Sequence, residues 1–297
     1  MRHELGEACA GALLEQACAI AGIDASGASL MRIGSKAVYH LAVPVVVRVS
    51  RKGVDLDEAR RTVAVARWLE RVDYPAVRAI EMNQPIEIDG HAVTFWRSVS
   101  GDGDRYATTA EVAQVLADLH ALSAPGCLDL PMLAPFGNAD CLIAANEWLS
   151  PGDRAFLTEN LTALQDSYAR LDFALLPGVI HGDANVGNVL HDRDGNPVVI
   201  DLDGFAIGPR EWDLALTAIY YDSFGWHTRD EYETFVRVYG FDIMQWAGYP
   251  TMRAVREILM VTWLIQQAGD HPPAAAEAAK RIAALRTGAS RKDWQPY

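Results

Sequence analysis

The chain has 297 residues, of which 50% are hydrophobic and 22% charged, a composition typical of folded globular proteins and not of disordered or fibrous ones. Its formal net charge of −13 argues against a protein that binds nucleic acid by neutralising phosphates. The longest apolar run, Leu41 to Val47, is too short to cross a bilayer, and no basic start precedes an apolar block, which predicts a cytoplasmic protein.

The first hundred residues predict a strand-rich region with two helices. Apolar residues at helical spacing predict an opening helix from His3 to Ala21. Two antiparallel strands, Leu30 to Ala42 and Val45 to Ser50, are predicted next, followed by a helix from Asp55 to Arg71 with acids at its start. Further short strands are predicted at Val77–Met82, Pro85–Ile88 and His91–Val99, the last two joined by an Asp-Gly turn.

Helical periodicity dominates after Gly101 to Asp104. The predicted helices are Thr109–Leu122, Ala139–Leu149, Gly152–Leu175, Trp212–Tyr221, Arg229–Tyr239, Met252–Ala268 and Pro273–Arg286. One exception is a small predicted hairpin, in which Val189-Leu190 and Val198–Ile200 flank an Asp194-Gly195-Asn196 turn. We therefore expect a strand-rich region over residues 1–99 and a larger, mainly helical region over residues 100–297.

The most informative residues lie around this hairpin. His181-Gly182-Asp183 is followed five residues later by Asn188, and the strand Val198–Ile200 leads into Asp201-Leu202-Asp203. Phosphoryl transfer needs a base or orienting group at the attacking hydroxyl and metal ions across the phosphates. Carboxylate and carboxamide oxygens suit Mg²⁺, which usually keeps some waters. The spacing indicates a nucleotide-dependent kinase, although each piece taken singly could be an ordinary turn.

This pattern, HGDxxxxN followed by IDxD, resembles that of the aminoglycoside phosphotransferase and choline kinase family. The resemblance implies an α+β, bilobal protein-kinase-like fold, with a small β-rich N-lobe and a larger helical C-lobe. Carried over by residue, the resemblance makes Asp183 the catalytic Asp near the acceptor hydroxyl and makes Asn188 and Asp201 Mg²⁺ ligands. The role of Asp203 in the same motif is left open. ATP is the implied phosphate donor, with GTP as an alternative.

The resemblance also implies a nucleotide site in the N-terminal half. Ser35 lies in the segment that resembles the family's phosphate loop, and Arg48 stands where the family commonly carries a lysine. Arginine presents a planar fork and is not a neutral replacement for lysine, so Lys36 or Lys52 is an alternative phosphate cation.

Two further contacts follow from the same resemblance. Glu58 resembles the helix acid that pairs with the strand cation, although Asp57 or Asp55 is nearly as well placed. The backbone of Arg97 and Val99 is expected to meet the nucleobase.

Acceptor specificity in this family comes mostly from the C-terminal helices, where acids and aromatic residues concentrate. We expect Asp222 and Asp230 to contact the substrate, because acids attract ammonium groups and aromatic faces bind cations or sugars. The expected acceptor is cationic or polyhydroxylated, such as an aminoglycoside-like antibiotic, which would confer antibiotic resistance. Choline-, homoserine- or macrolide-type acceptors are alternatives, and Arg48 alone suggests a catalytically silent kinase-like binding protein. A monomer or homodimer is expected.

Overall fold

The computed structural model describes residues 5–34, 36–53, 56–99, 105–269 and 271–296. The chain divides into two compact units. The first is Met1–Pro131 with Val186–Ala206, and the second is Met132–Asn185 with Ile207–Tyr297. The division near residue 99 that the sequence suggests stays a prediction. An antiparallel sheet combined with many helices confirms the predicted α+β class.

The helices are α1 (Glu7–Ala21), α2 (Leu56–Arg71), α3 (Thr109–Ala121), α4 (Ala139–Ala144), α5 (Pro151–Tyr168), α6 (Glu211–Asp222), α7 (Arg229–Tyr239), α8 (Tyr249–Ile265) and α9 (Pro272–Thr287). The strands are β1 (Ser29–Ile33), β2 (Lys36–His40), β3 (Val45–Ser50), β4 (Ile86–Ile88), β5 (His91–Arg97), β6 (Gly178–Ile180), β7 (Val189–His191), β8 (Pro197–Val199) and β9 (Ala206–Gly208). None of the helices in the described part of the chain has both the length and the apolar character that crossing a bilayer requires.

The first unit is built on a five-stranded antiparallel sheet with the order β1-β2-β3-β5-β4. Side chains alternate between the two faces of a strand, so Val47 and Val49 enter the core while Arg48 between them faces the other way. The core face packs against buried residues of α1, such as Leu14 and Ala17. The sheet therefore presents the even-numbered residues of β3 to the side opposite α1.

Two predicted strands differ from those observed. Leu30–Ala42 is not one strand, because the chain turns at Gly34 and β1 and β2 pair with each other. Val77–Met82 makes an isolated bridge, Ala79 with Trp96, and is not a strand. The Gln84 side chain takes the place of backbone hydrogen bonds between this segment and β5. Its carbonyl accepts the Phe95 N–H at 2.7 Å, and its amide donates to the Ile80 carbonyl at 2.7 Å.

The β7–β8 hairpin completes the first unit. Its edges are paired on both sides: Val199 N–H donates to the Pro75 carbonyl at 2.8 Å, and Ala107 N–H donates to the Val189 carbonyl at 2.9 Å. This hairpin was predicted from its Asp-Gly-Asn turn, and the structure confirms it. It brings the residues after β8, including Asp201 and Asp203, into the same unit as the five-stranded sheet.

The second unit is a helical assembly with a small sheet formed by β6 and β9. Helix α6 is buried along most of its length, and α8 contributes buried apolar residues that include Met252, Val255 and Leu264. Gly208 in β9 is required by close packing, because a Cβ there would lie 2.8 Å from Ile180 Cδ1 and 2.9 Å from Leu133 Cβ. Backbone and side chains therefore meet tightly beside the strand that precedes His181.

Candidate active site

A cluster of charged side chains lies on the sheet face opposite α1 in the first unit. Arg48 in β3 is opposite Val38 in β2, and Lys36, two residues before Val38, is opposite Ser50. The period of two along a strand places Lys36 and Arg48 on the same face as diagonal neighbours. Two cations therefore converge from adjacent strands.

Carboxylates from the segment after β8 neutralise these cations. Arg48 Nη2 lies 2.8 Å from Asp201 Oδ1 and 2.6 Å from Asp203 Oδ2. Lys36 Nζ lies 2.6 Å from Asp203 Oδ2, and the Thr62 hydroxyl donates to Asp203 Oδ1 at 3.0 Å. Burial alone would raise the pKa of Asp203, but the charges of Arg48 and Lys36 hold that pKa far below its usual range. Asp203 is therefore the ionised centre of the cluster.

Glu58 on the first turn of α2 has a different partner from the expected one. Its carboxylate lies 3.9 Å from Lys36 Nζ, whereas the sequence suggests a pair with Arg48. Arg48 is instead held by Asp201 and Asp203, and burial by itself would lower its pKa, but the two carboxylates raise that pKa above its ordinary value. The α2 acid thus faces the lysine of β2.

These residues border a recess within the first unit. Its walls come from β2, β3, β5, α2 and the segment after β8, and its lining residues are Lys36, Arg48, Ser50, Glu58, Ala59, Thr62, Ala92, Thr94, Trp96 and Asp203. The recess combines cationic and hydroxyl donors with an apolar side formed by alanine and tryptophan. The cationic part of this lining suits an anionic group.

Asn188 and Asp201 come together through the β7–β8 hairpin. Asn188 ends a 3₁₀ turn, and its carbonyl accepts the Ile200 N–H at 2.9 Å, one residue before Asp201. Asp201 adopts a left-handed backbone conformation with φ of 58°, a conformation that Asp tolerates better than most residues. The hairpin therefore sets the predicted metal ligands on neighbouring strand ends.

The chemistry of these donors fits Mg²⁺ in a shared site. Within residues 5–34, 36–53, 56–99, 105–269 and 271–296, no three His, Cys, Asp or Glu side chains gather in a way that could hold a metal by themselves. One carboxylate and one carboxamide suit Mg²⁺, which completes its octahedron with water and phosphate oxygens. Asn188 and Asp201 fit a metal that arrives with a nucleotide better than a resident structural ion.

Two predicted nucleobase contacts lie at the end of β5. The Arg97 N–H donates to the Arg78 carbonyl at 2.8 Å, so a base would meet the Arg97 carbonyl and not its N–H. Val99 is half-buried in the irregular segment after the strand. Ser35, the predicted phosphate-loop contact, lies outside the described residues.

The loop that carries Asp183 is held from beneath by a buried carboxylate in the second unit. Asp213, at the start of α6, accepts the backbone N–H of His181 at 2.7 Å and of Gly182 at 2.8 Å. The Trp212 indole N–H donates to the Gly182 carbonyl at 2.8 Å, and Gly182 has a φ of 88° that favours glycine. Asp213 therefore anchors the backbone of this loop.

Arg256 on α8 contacts the carboxylate of Asp183, which is 59% exposed. Its Nη2 lies 3.2 Å from Asp183 Oδ1, and its guanidinium lies 4.6 Å from the centroid of the Trp212 ring. Burial and the nearby charge of Asp183 raise the pKa of Tyr220 to about 12, although Arg256 acts in the opposite direction. Sequence reasoning missed Arg256; the signal was a cation among the apolar residues of α8.

Since the resemblance makes Asp183 the catalytic Asp, replacing Arg256 by Ala is expected to lower kcat by about 10- to 100-fold, the size expected for losing a charge-assisted hydrogen bond, with KM changed far less. The reason is that Arg256, which is buried in the second unit, holds the Asp183 carboxylate in one orientation. Steady-state kinetics measures the split between kcat and KM, and added guanidinium ion should restore part of the turnover. Full activity of the Ala variant, or equal loss in the R256K and Ala variants, would contradict an orienting role.

The two predicted acceptor contacts occupy different environments. Asp222 at the end of α6 is paired with Arg253, with 2.6 Å between Oδ2 and Nη1, and the Tyr249 hydroxyl lies 3.4 Å from the same oxygen. Burial and the Asp222 charge both raise the pKa of Tyr249. Asp230 lies exposed on the first turn of α7, where an acid favours the helix dipole. Of the two, Asp222 belongs to a built polar cluster.

Comparison with known sequences identifies the family. The family model described as APH, the phosphotransferase enzyme family, matches residues 32–255, most of the chain. The chain belongs to this family. Membership confirms the resemblance carried by the HGDxxxxN and IDxD motifs, and this phosphotransferase is a small-molecule kinase.

Solved structures share the fold of this phosphotransferase. An amicoumacin kinase bound to AMP-PNP and Ca²⁺ has a TM-score of 0.68 at 12% identity, with 92% of this chain and 91% of that chain covered. A spectinomycin phosphotransferase bound to ADP and spectinomycin has a TM-score of 0.64 at 15% identity, over 92% and 93%. A choline/ethanolamine kinase family protein from Mesorhizobium loti has a TM-score of 0.63 at 17% identity, over 94% and 92%. These likenesses confirm the protein-kinase-like fold.

One curated relative matches a short stretch. A probable ketoamine kinase from Lactiplantibacillus plantarum is 42% identical over 76 residues, which is 26% of this chain and 24% of that protein. The match thus covers about a quarter of the relative's length.

Proposed function

We propose that this phosphotransferase transfers the γ-phosphate of ATP to a hydroxyl group of an aminoglycoside-like acceptor. The observation that carries the proposal is the presentation of Asp183, an exposed carboxylate on a loop whose backbone is fixed by Asp213 and Trp212. A carboxylate held in this way suits the orientation of an acceptor hydroxyl and acceptance of its proton.

In the proposed reaction the acceptor oxygen bonds to the γ-phosphorus, and the bond from that phosphorus to the β–γ bridging oxygen breaks. The hydroxyl proton goes to the Asp183 carboxylate, and the products are a phosphate monoester and ADP. Mg²⁺, when held by Asn188 and Asp201, would supply charge neutralisation across the phosphates. Lys36 and Arg48 are the cations of the recess in the first unit, where they face the carboxylates of Asp201 and Asp203.

The choice of an aminoglycoside-like acceptor rests on acids in the helices of the second unit and on the fold neighbours. Asp222 and Asp230 are the proposed acceptor contacts, and a neighbour with a TM-score of 0.62 is an aminoglycoside phosphotransferase in complex with GDP and kanamycin. Such an acceptor would make the protein an antibiotic-resistance enzyme.

A second acceptor class is a ketoamine, a glycated amine in which the sugar chain carries a ketone next to the carbon bonded to nitrogen, and further hydroxyl groups. It is favoured by the partial match to the probable ketoamine kinase. The pairing of Asp222 with Arg253 and of Asp183 with Arg256 also leaves less uncompensated negative charge than a polycation would need.

A screen of ADP release tests the proposal. The purified protein would be incubated with MgATP or MgGTP and with aminoglycosides, glycated amines, choline, homoserine or macrolides, and ADP or GDP formation would be followed by a coupled assay. We expect acceptor-dependent release with ATP that stops when EDTA removes the metal. A protein that neither releases ADP with any acceptor nor gains thermal stability from MgATP would refute the kinase assignment and favour a silent binding protein.

Replacing Asp201 by Asn is expected to reduce the thermal stabilisation by MgATP, while stabilisation by adenosine is kept. The charge lost is that of the proposed metal ligand, and the base contacts remain. Thermal shift at several Mg²⁺ concentrations measures the effect. The Asp118→Asn variant, which removes an exposed acid of α3 in the same unit, is the control. If MgATP stabilises the Asp201 variant and the wild type equally, Asp201 is not a ligand.

A further inference from the structure

The pairing of the α2 acid with a lysine of β2 points to a phosphate contact that the sequence left open. Glu58 lies 3.9 Å from Lys36 Nζ, and Lys36 Nζ lies 2.6 Å from Asp203. Arg48 is engaged by both Asp201 and Asp203. The acid that should orient the phosphate cation therefore orients Lys36.

The position of Lys36 in the chain supports this role. It is the first residue of β2, immediately after the turn that begins at Gly34, and it lines the same recess as Arg48. Its side chain is only 16% exposed, although it carries a full charge. A buried lysine needs compensating anions, and Asp203 and Glu58 supply them in the absence of phosphate.

The two cations differ in their freedom to bind a new anion. A lysine ammonium is a compact charge with three rotatable N–H donors, so it can keep a carboxylate partner and still donate to a phosphate oxygen. The guanidinium of Arg48 is a rigid fork whose Nη2 already bridges two carboxylates. Moving that fork toward phosphate would leave Asp201 and Asp203 without their shared partner.

We propose that Lys36, and not Arg48, is the residue of this chain that binds the nucleotide phosphates, with Glu58 as its orienting acid. Arg48 holds the Asp201–Asp203 segment in place. This inference rests on the proposed function, because it takes ATP as the phosphate donor. The phosphate-binding cation then lies on the second strand, β2, and not on the third strand, β3, where the resemblance placed it.

Calorimetric titration of ATP and of adenosine, both with Mg²⁺, tests the proposal on the full chain. The variant Lys36→Met is expected to weaken ATP binding by about 10- to 100-fold, as for loss of a charge-assisted hydrogen bond, and to leave adenosine binding unchanged. Lys292→Met is the matched control, because Lys292 is an exposed lysine of the second unit, and this variant should bind ATP as the wild type does. Equal ATP affinity of the Lys36 variant and the wild type would overturn the inference.

A second variant keeps the test decisive if Lys36→Met does not fold. Glu58→Gln removes a charge that is 41% exposed, so it should fold and bind ATP several-fold more weakly, with no change toward adenosine. Unchanged ATP affinity in this variant counts against the proposal. A selective loss of ATP affinity in Arg48→Met, with none in the Lys36 or Glu58 variants, would assign the phosphates to Arg48. If the wild type binds no ATP, the proposed function itself fails.

Discussion

Replacing Asp183 by Asn should reduce turnover by about 10²- to 10⁴-fold, the range of general acid–base catalysis, with little change in ATP affinity. Asparagine has nearly the same shape, so the loop held by Asp213 and Trp212 should stay in place. What is lost is the carboxylate that, in the proposed reaction, accepts the hydroxyl proton. Its ion pair with Arg256 is lost as well. ADP release at saturating acceptor measures the first effect, and calorimetry with MgATP measures the second.

The control for this variant is Asp166→Asn, which removes an exposed acid on α5 of the same unit and should leave turnover at the wild-type level. An Asp183→Asn enzyme with undiminished turnover would show that another group handles the proton. A variant that loses ATP affinity as strongly as turnover would instead place Asp183 in nucleotide binding.

Replacing Trp294 by Ala should lower the free energy of unfolding of the second unit by about 3–5 kcal/mol, the cost typical of truncating a buried tryptophan. Trp294 is 0% exposed. The Arg281 guanidinium lies 4.8 Å from its ring centroid, and the Phe224 ring lies 5.2 Å away. Its carbonyl also accepts the Trp226 indole N–H at 3.0 Å. Removing the ring would leave a cavity between α9 and the segment after α6.

Thermal and urea denaturation measure this loss. Trp294→Phe should cost less, because a ring still packs against Arg281 and because, in the described part of the chain, the buried Trp294 Nε1–H has no hydrogen-bond partner to lose. Trp263, which is 48% exposed, gives a matched Trp→Ala control with a small expected effect. A Trp294→Ala midpoint equal to that of the wild type would mean that the C-terminal segment contributes no stability.

Elements with strong local signals were predictable from the sequence. Helix α7 begins and ends as predicted, because Thr228 and Glu231 form a capping box and Gly240 ends the helix in a left-handed conformation. The hairpin between β4 and β5 follows from Asp89 and Gly90, which both have positive φ, as a type I′ turn requires. In each case a few neighbouring residues determine the geometry.

Boundaries that depend on tertiary contacts were not predictable. The predicted helix over Ala139–Leu149 ends at Ala144, because the Asn146 side chain accepts the backbone N–H of Trp148 and Leu149 and donates to the Ile265 carbonyl on α8. An asparagine side chain can bond to nearby backbone at many positions in a chain. The helix ends at this asparagine because its side chain also bonds to the distant Ile265 carbonyl. Periodicity along the chain carries no information about that partner.

The same limit explains what was missed in the candidate site. The sequence motifs identified Asp183, Asn188 and Asp201 as candidates because the residues lie close together in the chain. The pairs Lys36–Glu58 and Arg256–Asp183 join residues that are far apart in sequence, so they depend on strand register and helix packing. If the turn at Gly34 had been recognised, the alternation of side chains between the two faces of β2 and β3 would have placed Lys36 beside Arg48.

The first unit is assembled from two separate stretches of the chain, and this has a practical consequence. A gene fragment that stops at Pro131 would encode Lys36 and Arg48, which are only 16% and 14% exposed, without the carboxylates of Asp201 and Asp203. Leaving a buried charge without its partner typically costs about 3–5 kcal/mol, which is a large part of the stability of a domain of this size. The first unit therefore cannot be obtained by simple truncation; a shortened version would have to splice residues 186–206 onto residues 1–131.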